Sequence, residues 1–396
     1  MTSAKLQISS SSHTNEQLST ILSDYATSPI RSSKQLFGGY SGASYFIELD
    51  TAPDGSASHY VLKVSNGYTY DNAEFMCRTA SYLRSIGYRD CCLPIPKMTE
   101  KQSPHTNDPY IYVSQREPND IPAFLLNYVQ GEQADKIMRD RPELAPNVMR
   151  GIGGGLGRMH ASSAGIDRAT ANALGLRWYE TDGGCCDVED HVRDTILNKI
   201  MSDSVGREHE FLSFYQRELT SLKKEMQLVK DGQLAIGITH GDPFADNILS
   251  NPESGELSAF IDIEDVCVGP LLFDLACCVI GCCFTENCDG GIHGLGGKYK
   301  QVVDFTLLSA LLDGYCAERT LPILEVEHLV AYMRLALLCN CCWRFVKFNI
   351  TMKEKDIPQA AKNSYLELQQ RIKYLQDCEV EAGIQRLLND LQKVED

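Results

Sequence analysis

The sequence predicts an α+β protein with two lobes, a small antiparallel sheet followed by a larger and mainly helical part. Apolar and polar residues alternate in segments that are bounded by turn signals, which is typical of half-buried strands. These segments are 34–50, 59–65, 110–115 and 121–129. After Gly131 the apolar residues recur at helical spacing instead. A chain of 396 residues is long enough for two such parts.

Three segments are expected from this pattern. Residues 1–12 are polar and Ser-rich, so we predict a disordered N-terminus. Residues 13–130 would form the sheet lobe, with a short amphipathic helix near Leu18 and a helix at 72–86, and residues 131–396 would form the helical lobe. Long helices are predicted at 145–162, 187–201, 207–229, 300–317, 323–350 and 359–392.

Composition excludes several classes of protein. Hydrophobic residues make up 43% and charged residues 23%, so wholesale disorder, collagen and a simple coiled coil are excluded. The net charge of −16 argues against a surface that attracts nucleic acid or anionic lipid. The N-terminal segment has no apolar stretch typical of a secretory signal, and no uninterrupted apolar run has the length of a membrane span. We therefore expect a cytoplasmic monomer or homodimer without nucleic-acid or membrane partners.

The sixteen cysteines occur largely as adjacent pairs. Neighbouring cysteines rarely bridge each other, because the geometry is strained, so reduced and mostly buried thiols are expected. Zinc is the alternative, since Cys278 and Cys282, like Cys339 and Cys342, are spaced to share a helix face.

A run of glycines lies in the predicted helix 145–162. It matches neither G-x-G-x-x-G nor G-x-x-x-x-G-K-[ST], and no convincing strand precedes it. Close packing of this helix against another is therefore predicted, in preference to nucleotide binding.

One segment of the helical half places a dense set of polar residues between two apolar runs. Its sequence, ITHGDPFADNIL, contains Asp242 and, five residues later, Asn247. A carboxylate can accept or orient the proton of an attacking hydroxyl, and an amide oxygen can hold a metal ion without adding charge. Kinase catalytic loops have this spacing. A polar loop with no catalytic role is the alternative.

A further carboxylate, Asp262, follows the apolar residues Ala259-Phe260-Ile261. A carboxylate at the end of a buried strand suits Mg²⁺ that bridges nucleotide phosphates. The combination of loop Asp, loop Asn and strand-end Asp is much more specific than any one of them.

The first half of the chain supplies candidate residues for a nucleotide. Lys63 is a cation within the apolar strand YVLKV, and such a residue is costly to bury without partners. Glu74 on the next helix and nucleotide phosphates would be suitable partners. In the upstream turn GGYSGAS, the backbone at Gly39, Ser41 and Gly42 could approach phosphates closely, although a plain hairpin turn fits equally well.

Taken in order, the Gly-rich turn, Lys63, Glu74, HGDPFADN and IDIED resemble the aminoglycoside phosphotransferase/choline kinase superfamily, which has a protein-kinase-like fold. The run IDIEDVCVGPLLFDLACCVIGCCF is most similar to the bacterial homoserine kinase subgroup. The chain departs from that subgroup at Glu264 and Asp265, where aromatic residues are usual, and in a Cys-rich insert near 181–188.

This resemblance implies a bilobal fold, in which a small antiparallel sheet with one helix forms the N-lobe. It also implies ATP and Mg²⁺ as cofactors. The implied roles are Asp242 as the catalytic base or hydroxyl-orienting residue, Asn247 and Asp262 as Mg²⁺ ligands, Lys63 and Glu74 as nucleotide-positioning residues, Asn127 and Val129 as adenine contacts, and Asp274 as a structural residue.

The acceptor is expected to be a small-molecule alcohol. Asp262 and Asp274 lie close in sequence and the motif A-P-E is absent, so no room is left for a peptide-docking segment. An amino alcohol or a hydroxy amino acid such as homoserine is favoured. The alternatives are a choline/ethanolamine kinase, an aminoglycoside-type antibiotic kinase, or a kinase-like module that binds nucleotide without turnover.

Four residues are candidates for contact with the acceptor. Glu264 and Asp265 would suit an ammonium group, Arg344 a carboxylate, and Trp343 a ring or cation. Each of them also fits an ordinary surface or core position.

Overall fold

The computed structural model describes residues 13–25, 28–36, 43–50, 58–64, 69–98, 108–114, 121–178, 197–286, 299–352 and 357–392. Contacts divide the chain into two compact units, Met1–Gln130 and Gly131–Asp396. The expected disorder of the first twelve residues lies outside the described residues, as do Gly39, Ser41 and Gly42.

The first unit is built on a five-stranded antiparallel sheet with the strand order β1-β2-β3-β5-β4. The strands are β1 (Ile30–Leu36), β2 (Ala43–Leu49), β3 (His59–Val64), β4 (Ile111–Ser114) and β5 (Ile121–Asn127). In β2 the side chains of Tyr45, Ile47 and Leu49 are buried, as their alternation predicts. The described residues of this unit form two helices, α1 (Asn15–Leu22) and α2 (Tyr70–Ser85), one more than the implied fold requires.

The second unit is mainly helical. Its helices are α3 (Ala134–Asp140), α4 (Ala145–Ser163), α5 (Arg168–Leu174), α6 (Leu197–Ser202), α7 (Ser204–Glu208), α8 (Glu210–Ser221), α9 (Lys223–Lys230), α10 (Leu271–Cys282), α11 (Phe305–Cys316), α12 (Ile323–Phe345), α13 (Gln359–Lys362), α14 (Ser364–Leu375) and α15 (Cys378–Gln392). Its strands are β6 (Glu132–Gln133), β7 (Ile236–Thr239), β8 (Ile248–Ser250), β9 (Leu257–Phe260), β10 (Cys267–Pro270), β11 (Phe284–Glu286) and β12 (Gln301–Val303). The predicted α+β class is confirmed.

Three of the predicted long helices differ from the observed ones, and most of a fourth, 187–201, lies outside the described residues, which resume at Leu197. The segment 207–229 divides at His209 and again at Leu222, where the backbone leaves the helical region. The segment 359–392 forms three helices, and the carboxylate of Asp377 accepts a hydrogen bond from the Glu379 amide at the start of the last one. Residues 301–303 pair antiparallel with β11 as a strand, so α11 begins only at Phe305. These breaks are absent from the apolar periodicity, which continues through them.

Helices α4 and α11 approach each other so closely that their backbones touch. A Cβ atom on Gly153 would lie 1.9 Å from the carbonyl oxygen of Leu311, and one on Gly314 would lie 2.0 Å from that of Arg150. Any side chain at either position would push the helices apart. The glycine run in α4 therefore serves close helix packing, as the sequence predicts.

Two adjacent glycines of α4 provide a stability test of this contact. Gly153→Ala should lower the free energy of unfolding by about 1–3 kcal/mol, because the new methyl group overlaps rigid backbone. Gly154→Ala is the matched control: its Cβ would make only ordinary van der Waals contacts, with the Arg158 side chain at 3.4 Å and the Gly314 carbonyl oxygen at 3.6 Å. The control should gain about 0.5–1 kcal/mol from better helix propensity. Urea unfolding of both variants measures the difference, and equal effects would contradict the backbone contact.

Helix α12 and the π-helical turn that follows it, Val346–Thr351, form the longest apolar element among the described residues. By length and composition this element could cross a membrane, although charged residues interrupt it and it contains no uninterrupted apolar run of that length. However, 67% of its most apolar stretch is buried inside the structure, where it packs against α10 and α14. It is therefore the core helix of the second unit.

The cysteines in the described part of the chain are all free thiols, and most of them are buried. Burial raises the pKa of Cys277 on α10 and of Cys342 on α12 well above the ordinary thiol value. A hydrogen bond with Cys282, together with burial, raises the pKa of Cys278 in the same way. Among the described residues no group of three or more His, Cys, Asp and Glu is placed to hold a metal ion. The paired cysteines in this region are core residues.

Candidate active site

The polar loop His240–Asn247 follows strand β7, which pairs with β10. Gly241 adopts a positive φ of 85°, and a Cβ atom there would lie 2.3 Å from the carbonyl oxygen of Asp265. Only glycine therefore allows the loop to turn against the residues that follow β9. This contact brings two segments with several carboxylates together.

The loop is held from behind by Asp274, a fully buried residue in the first turn of α10. Its carboxylate accepts hydrogen bonds from the amides of His240, at 2.7 Å, and Gly241, at 3.0 Å. The Nε2 atom of His160 on α4 lies 3.1 Å from the same carboxylate. Burial alone would raise the pKa of Asp274, but the hydrogen bonds from the His160 side chain and the His240 amide hold the pKa below its usual value. Asp274 thus has the structural role expected for it.

The ring of His240 has a defined pattern of hydrogen bonds. Its Nε2 lies 3.0 Å from the carbonyl oxygen of Ile261, so this nitrogen carries the proton. Its Nδ1 accepts a hydrogen bond from the Asp242 amide at 3.3 Å. Burial lowers the pKa of His240. The neutral imidazole therefore links the loop to the end of β9 and fixes the backbone at Asp242.

The predicted pair Asp242 and Asn247 are in direct contact. The Nδ2 atom of Asn247 donates to the Asp242 carboxylate at 2.8 Å and to its carbonyl oxygen at 3.0 Å. Within the described residues nothing donates to the Asn247 Oδ1, which leaves this oxygen for a cation. Burial raises the pKa of Asp242 to about 7, and the charges of Asp265 and Asp246 add to this effect. A carboxyl group of this pKa is well suited to accept a proton near neutral pH.

The β8–β9 hairpin places Asp262 at the same end as Asn247. The Ile261 amide donates to the Asn247 carbonyl oxygen at 2.9 Å, so the two predicted metal ligands lie at the same end of the hairpin. Asp262 has a left-handed backbone, with φ of 64°, and is the one non-glycine residue with positive φ in the described segments. Such strain costs about 1–3 kcal/mol and is concentrated at functional sites. One carboxylate and one amide oxygen fit a hard divalent cation that keeps other ligands from water or phosphate.

Asp265 and Arg177 lie at the edge of this acidic group. Burial and the neighbouring Glu264 raise the pKa of Asp265 to about 6. Arg177 extends the β7–β10 sheet through its carbonyl oxygen, which accepts from the Val268 amide at 2.9 Å, and its Nη2 lies 3.9 Å from the Asp265 carboxylate. Arg177 could not be identified from the sequence, because the segment 176–178 shows no strand pattern.

The predicted nucleotide residues of the first unit lie on neighbouring elements. Lys63 is close enough to the Cys77 thiol of α2 and to Cys92 to lower the pKa of each, although burial raises both overall. Glu74, one turn before Cys77, forms an ion pair with Arg78. The predicted pairing of Lys63 with Glu74 stays a prediction.

Asn127 and Val129, the predicted adenine contacts, differ in their surroundings. The Asn127 side chain accepts a hydrogen bond from the Leu93 amide at 2.6 Å, so it fixes the chain locally. Among the described residues no hydrogen bond to the peptide groups of Val129 is found, and those groups remain available to a planar ligand.

Trp343 and Arg344 lie near the end of α12. Trp343 is 48% exposed and has the Lys347 ammonium 5.7 Å from its ring centroid. The charge of Arg344 acts on Arg371 of α14. Within the described residues no hydrogen bond, ion pair or ring contact joins Trp343 or Arg344 to the loop His240–Asn247, so a substrate role for them stays a prediction.

Residues 33–299 match the model of the phosphotransferase enzyme family. This match covers more than half of the chain. The chain belongs to the phosphotransferase enzyme family. The resemblance inferred from the sequence motifs is therefore confirmed, and with it the expectation of an enzyme that phosphorylates a small molecule.

Individual relatives are distant. The chain is 23% identical over 301 residues to the homoserine kinase of Polaromonas naphthalenivorans (strain CJ2), which covers 75% of this chain and 76% of that protein. Among solved structures it is similar to an amicoumacin kinase in complex with AMP-PNP, Ca²⁺ and Ami (TM-score 0.60, 14% identity, 90% of this chain and 92% of the other). It is also similar to a microcompartment-associated aminopropanol kinase (TM-score 0.55, 14% identity, 95% and 97%). These structures confirm the bilobal kinase-like fold.

Proposed function

We propose that this phosphotransferase uses ATP and Mg²⁺ to phosphorylate the hydroxyl group of a small amino alcohol or hydroxy amino acid, such as homoserine. The observation that carries the proposal is the contact of the Asp242 carboxylate with the Asn247 amide, with Asp262 at the same end of the β8–β9 hairpin. The residues proposed as proton acceptor and as the two oxygen ligands of a cation are thereby grouped at one end of the β8–β9 hairpin.

The Asp242 carboxylate orients the acceptor hydroxyl and takes its proton as the oxygen bonds to the γ-phosphorus. The bond between that phosphorus and the oxygen of the leaving ADP breaks at the same time. Asn247, through its Oδ1, and Asp262 would hold Mg²⁺, which when bound neutralises charge on the nucleotide phosphates. The hydrogen bond from the Asn247 side-chain amide fixes the orientation of the Asp242 carboxylate, and the neutral His240 ring fixes the backbone at Asp242.

Acceptor chemistry is supported by the charges next to Asp242. The carboxylates of Glu264 and Asp265 suit a substrate ammonium group, and Arg177 beside Asp265 suits a carboxylate. An amino alcohol needs only the carboxylates, whereas a hydroxy amino acid needs the carboxylates for its ammonium group and Arg177 for its carboxylate. The homoserine kinase and aminopropanol kinase relatives agree with these two acceptor classes.

A panel of acceptors, scored by ADP release, tests the proposal. It should contain L-homoserine, 1-amino-2-propanol, choline, ethanolamine and kanamycin, with the Asp242→Asn variant as the blank for each. Turnover with an amino alcohol or hydroxy amino acid supports the proposal. A preference for choline or kanamycin over L-homoserine and over the amino alcohols 1-amino-2-propanol and ethanolamine would replace the acceptor class. Nucleotide binding without turnover of any acceptor would indicate a binding module.

We also propose that the protein works in the cytoplasm as a monomer or homodimer, without nucleic-acid or membrane partners. The net charge of −16 and the burial of the long apolar helix α12 in the second unit support this. Sedimentation of the purified protein with and without DNA or lipid vesicles tests it.

Lys63→Ala should reduce kcat/KM for ATP by the equivalent of about 2–4 kcal/mol, because a fixed cation that meets the phosphates is lost. The matched control is Lys34→Ala, which removes an exposed lysine from β1 of the same sheet. Steady-state kinetics at varied ATP measure the effect. Wild-type kinetics in the Lys63 variant would show that this lysine takes no part in nucleotide use.

A further inference from the structure

A buried hydrogen-bond network extends the support of the His240–Asn247 loop beyond Asp274. The Nδ1 atom of His160 lies 2.7 Å from the hydroxyl of Tyr315 on α11, and His160 and Tyr315 are both fully buried. The Nη1 atom of Arg319 donates to the same hydroxyl at 3.1 Å. Arg319 in turn forms a bidentate pair with Glu325, with both distances at 2.7 Å.

The donors and acceptors in this network fix one another. Arginine only donates, so the Tyr315 oxygen accepts from Arg319 and its own proton is directed to the His160 Nδ1. The other nitrogen of His160 then carries its proton toward the Asp274 carboxylate. Asp274 consequently receives three N–H donors, from His160, His240 and Gly241. The orientation of the loop amides depends on this carboxylate keeping its position.

Close packing of α4 and α11 makes the network possible. Gly153 and Gly314 let the two backbones touch, and the next residue, Tyr315, is thereby held against His160. The Glu325 side chain is also buried, and the pair that it forms with Arg319 fixes the cation that orients the tyrosine hydroxyl.

We infer that Tyr315, oriented by the Arg319–Glu325 pair, is a positioning residue for the phosphoryl-transfer step. The Tyr315 hydroxyl sets the tautomer of His160, and His160 in turn fixes the position of the Asp274 carboxylate. Asp274 then fixes the His240 and Gly241 amides and thereby the orientation of the Asp242 side chain. The inference rests on the proposed function for its kinetic part. Its structural part is the hydrogen-bond connection from Tyr315 to the Gly241 amide, which can be tested without knowing the substrate.

Tyr315→Phe removes the hydroxyl and keeps the buried ring. We expect kcat to fall about tenfold, equivalent to about 1.4 kcal/mol, with KM for ATP and for the acceptor unchanged within about twofold. Tyr332→Phe is the matched control: Tyr332 is equally buried, and its hydroxyl donates to the Glu225 carbonyl oxygen at 3.1 Å, away from the loop. The control should lose comparable stability and keep its kcat.

A second readout needs no turnover. NMR spectra of protein labelled with ¹⁵N-His and ¹⁵N-Gly report the His160 tautomer and the Gly241 amide, with His160→Gln and Gly241→Ala used for assignment. Tyr315→Phe should shift both signals, and Tyr332→Phe should shift neither. Unshifted signals in Tyr315→Phe, or equal kcat in the two tyrosine variants, would overturn the inference. If no acceptor is turned over by the wild type but both signals shift, the proposed function fails while the link itself stands.

Discussion

Replacing Asp242 with Asn should lower kcat by about 10²–10⁴-fold and leave KM for ATP little changed. The asparagine keeps the shape of the side chain but cannot take the acceptor proton or carry charge. Since the carboxylate is already paired with the Asn247 amide, the variant exchanges one polar contact for another and should fold normally. Single-turnover rates, ATP affinity and melting temperature, measured on one preparation, separate the chemical step from binding and stability.

Asp246→Asn is the matched control for this experiment, because it removes the same charge from the same loop. Its kcat should stay within about threefold of the wild type, because in the proposed site the carboxylate of Asp246 neither takes the acceptor proton nor binds the cation. If ATP affinity collapses in Asp242→Asn while bound ATP still reacts at the normal rate, Asp242 is not the proton acceptor.

Asp262→Asn should abolish Mg²⁺-dependent phosphoryl transfer while the fold stays near native. The loss follows from removal of the charged ligand of a site in which the other proposed protein ligand, Asn247, is neutral. Binding of Mn²⁺ in the presence of AMP-PNP, followed by electron paramagnetic resonance, reports the metal directly. Glu256→Gln, an exposed residue in the turn before β9, is the control and should bind Mn²⁺ normally. Unchanged Mg²⁺ dependence in Asp262→Asn would remove this residue from the metal site.

The sheet and the core of the candidate site could be predicted because their signals are local in the sequence. Alternation in 43–49 specifies a strand with one buried face, and it is observed there. Asp242 and Asn247 are five residues apart in one loop, so their contact needs no knowledge of the rest of the fold. The glycines of α4 predict a close partner, but the sequence does not identify it as α11.

The hydrogen bonds that hold Asp274 itself could not be predicted, because they depend on contacts between distant segments. His160 is separated from Asp274 by 114 residues and from Tyr315 by 155. Single buried polar residues in apolar helices carry no periodic signal that would pair them. The broken helix at Leu222 was missed for a related reason, since the amphipathic pattern runs through the break and only the backbone changes.

The buried thiols of α10 and α12 have a practical consequence. Alkylating reagents attack the thiolate, and burial keeps the thiolate forms of Cys277, Cys278 and Cys342 scarce while the second unit is folded. Modification at these positions therefore requires that the helices separate first. Alkylation of these buried cysteines therefore reports how readily the core around α10 and α12 opens. The exposed thiol of Cys378 supplies the reference for the activity of the reagent.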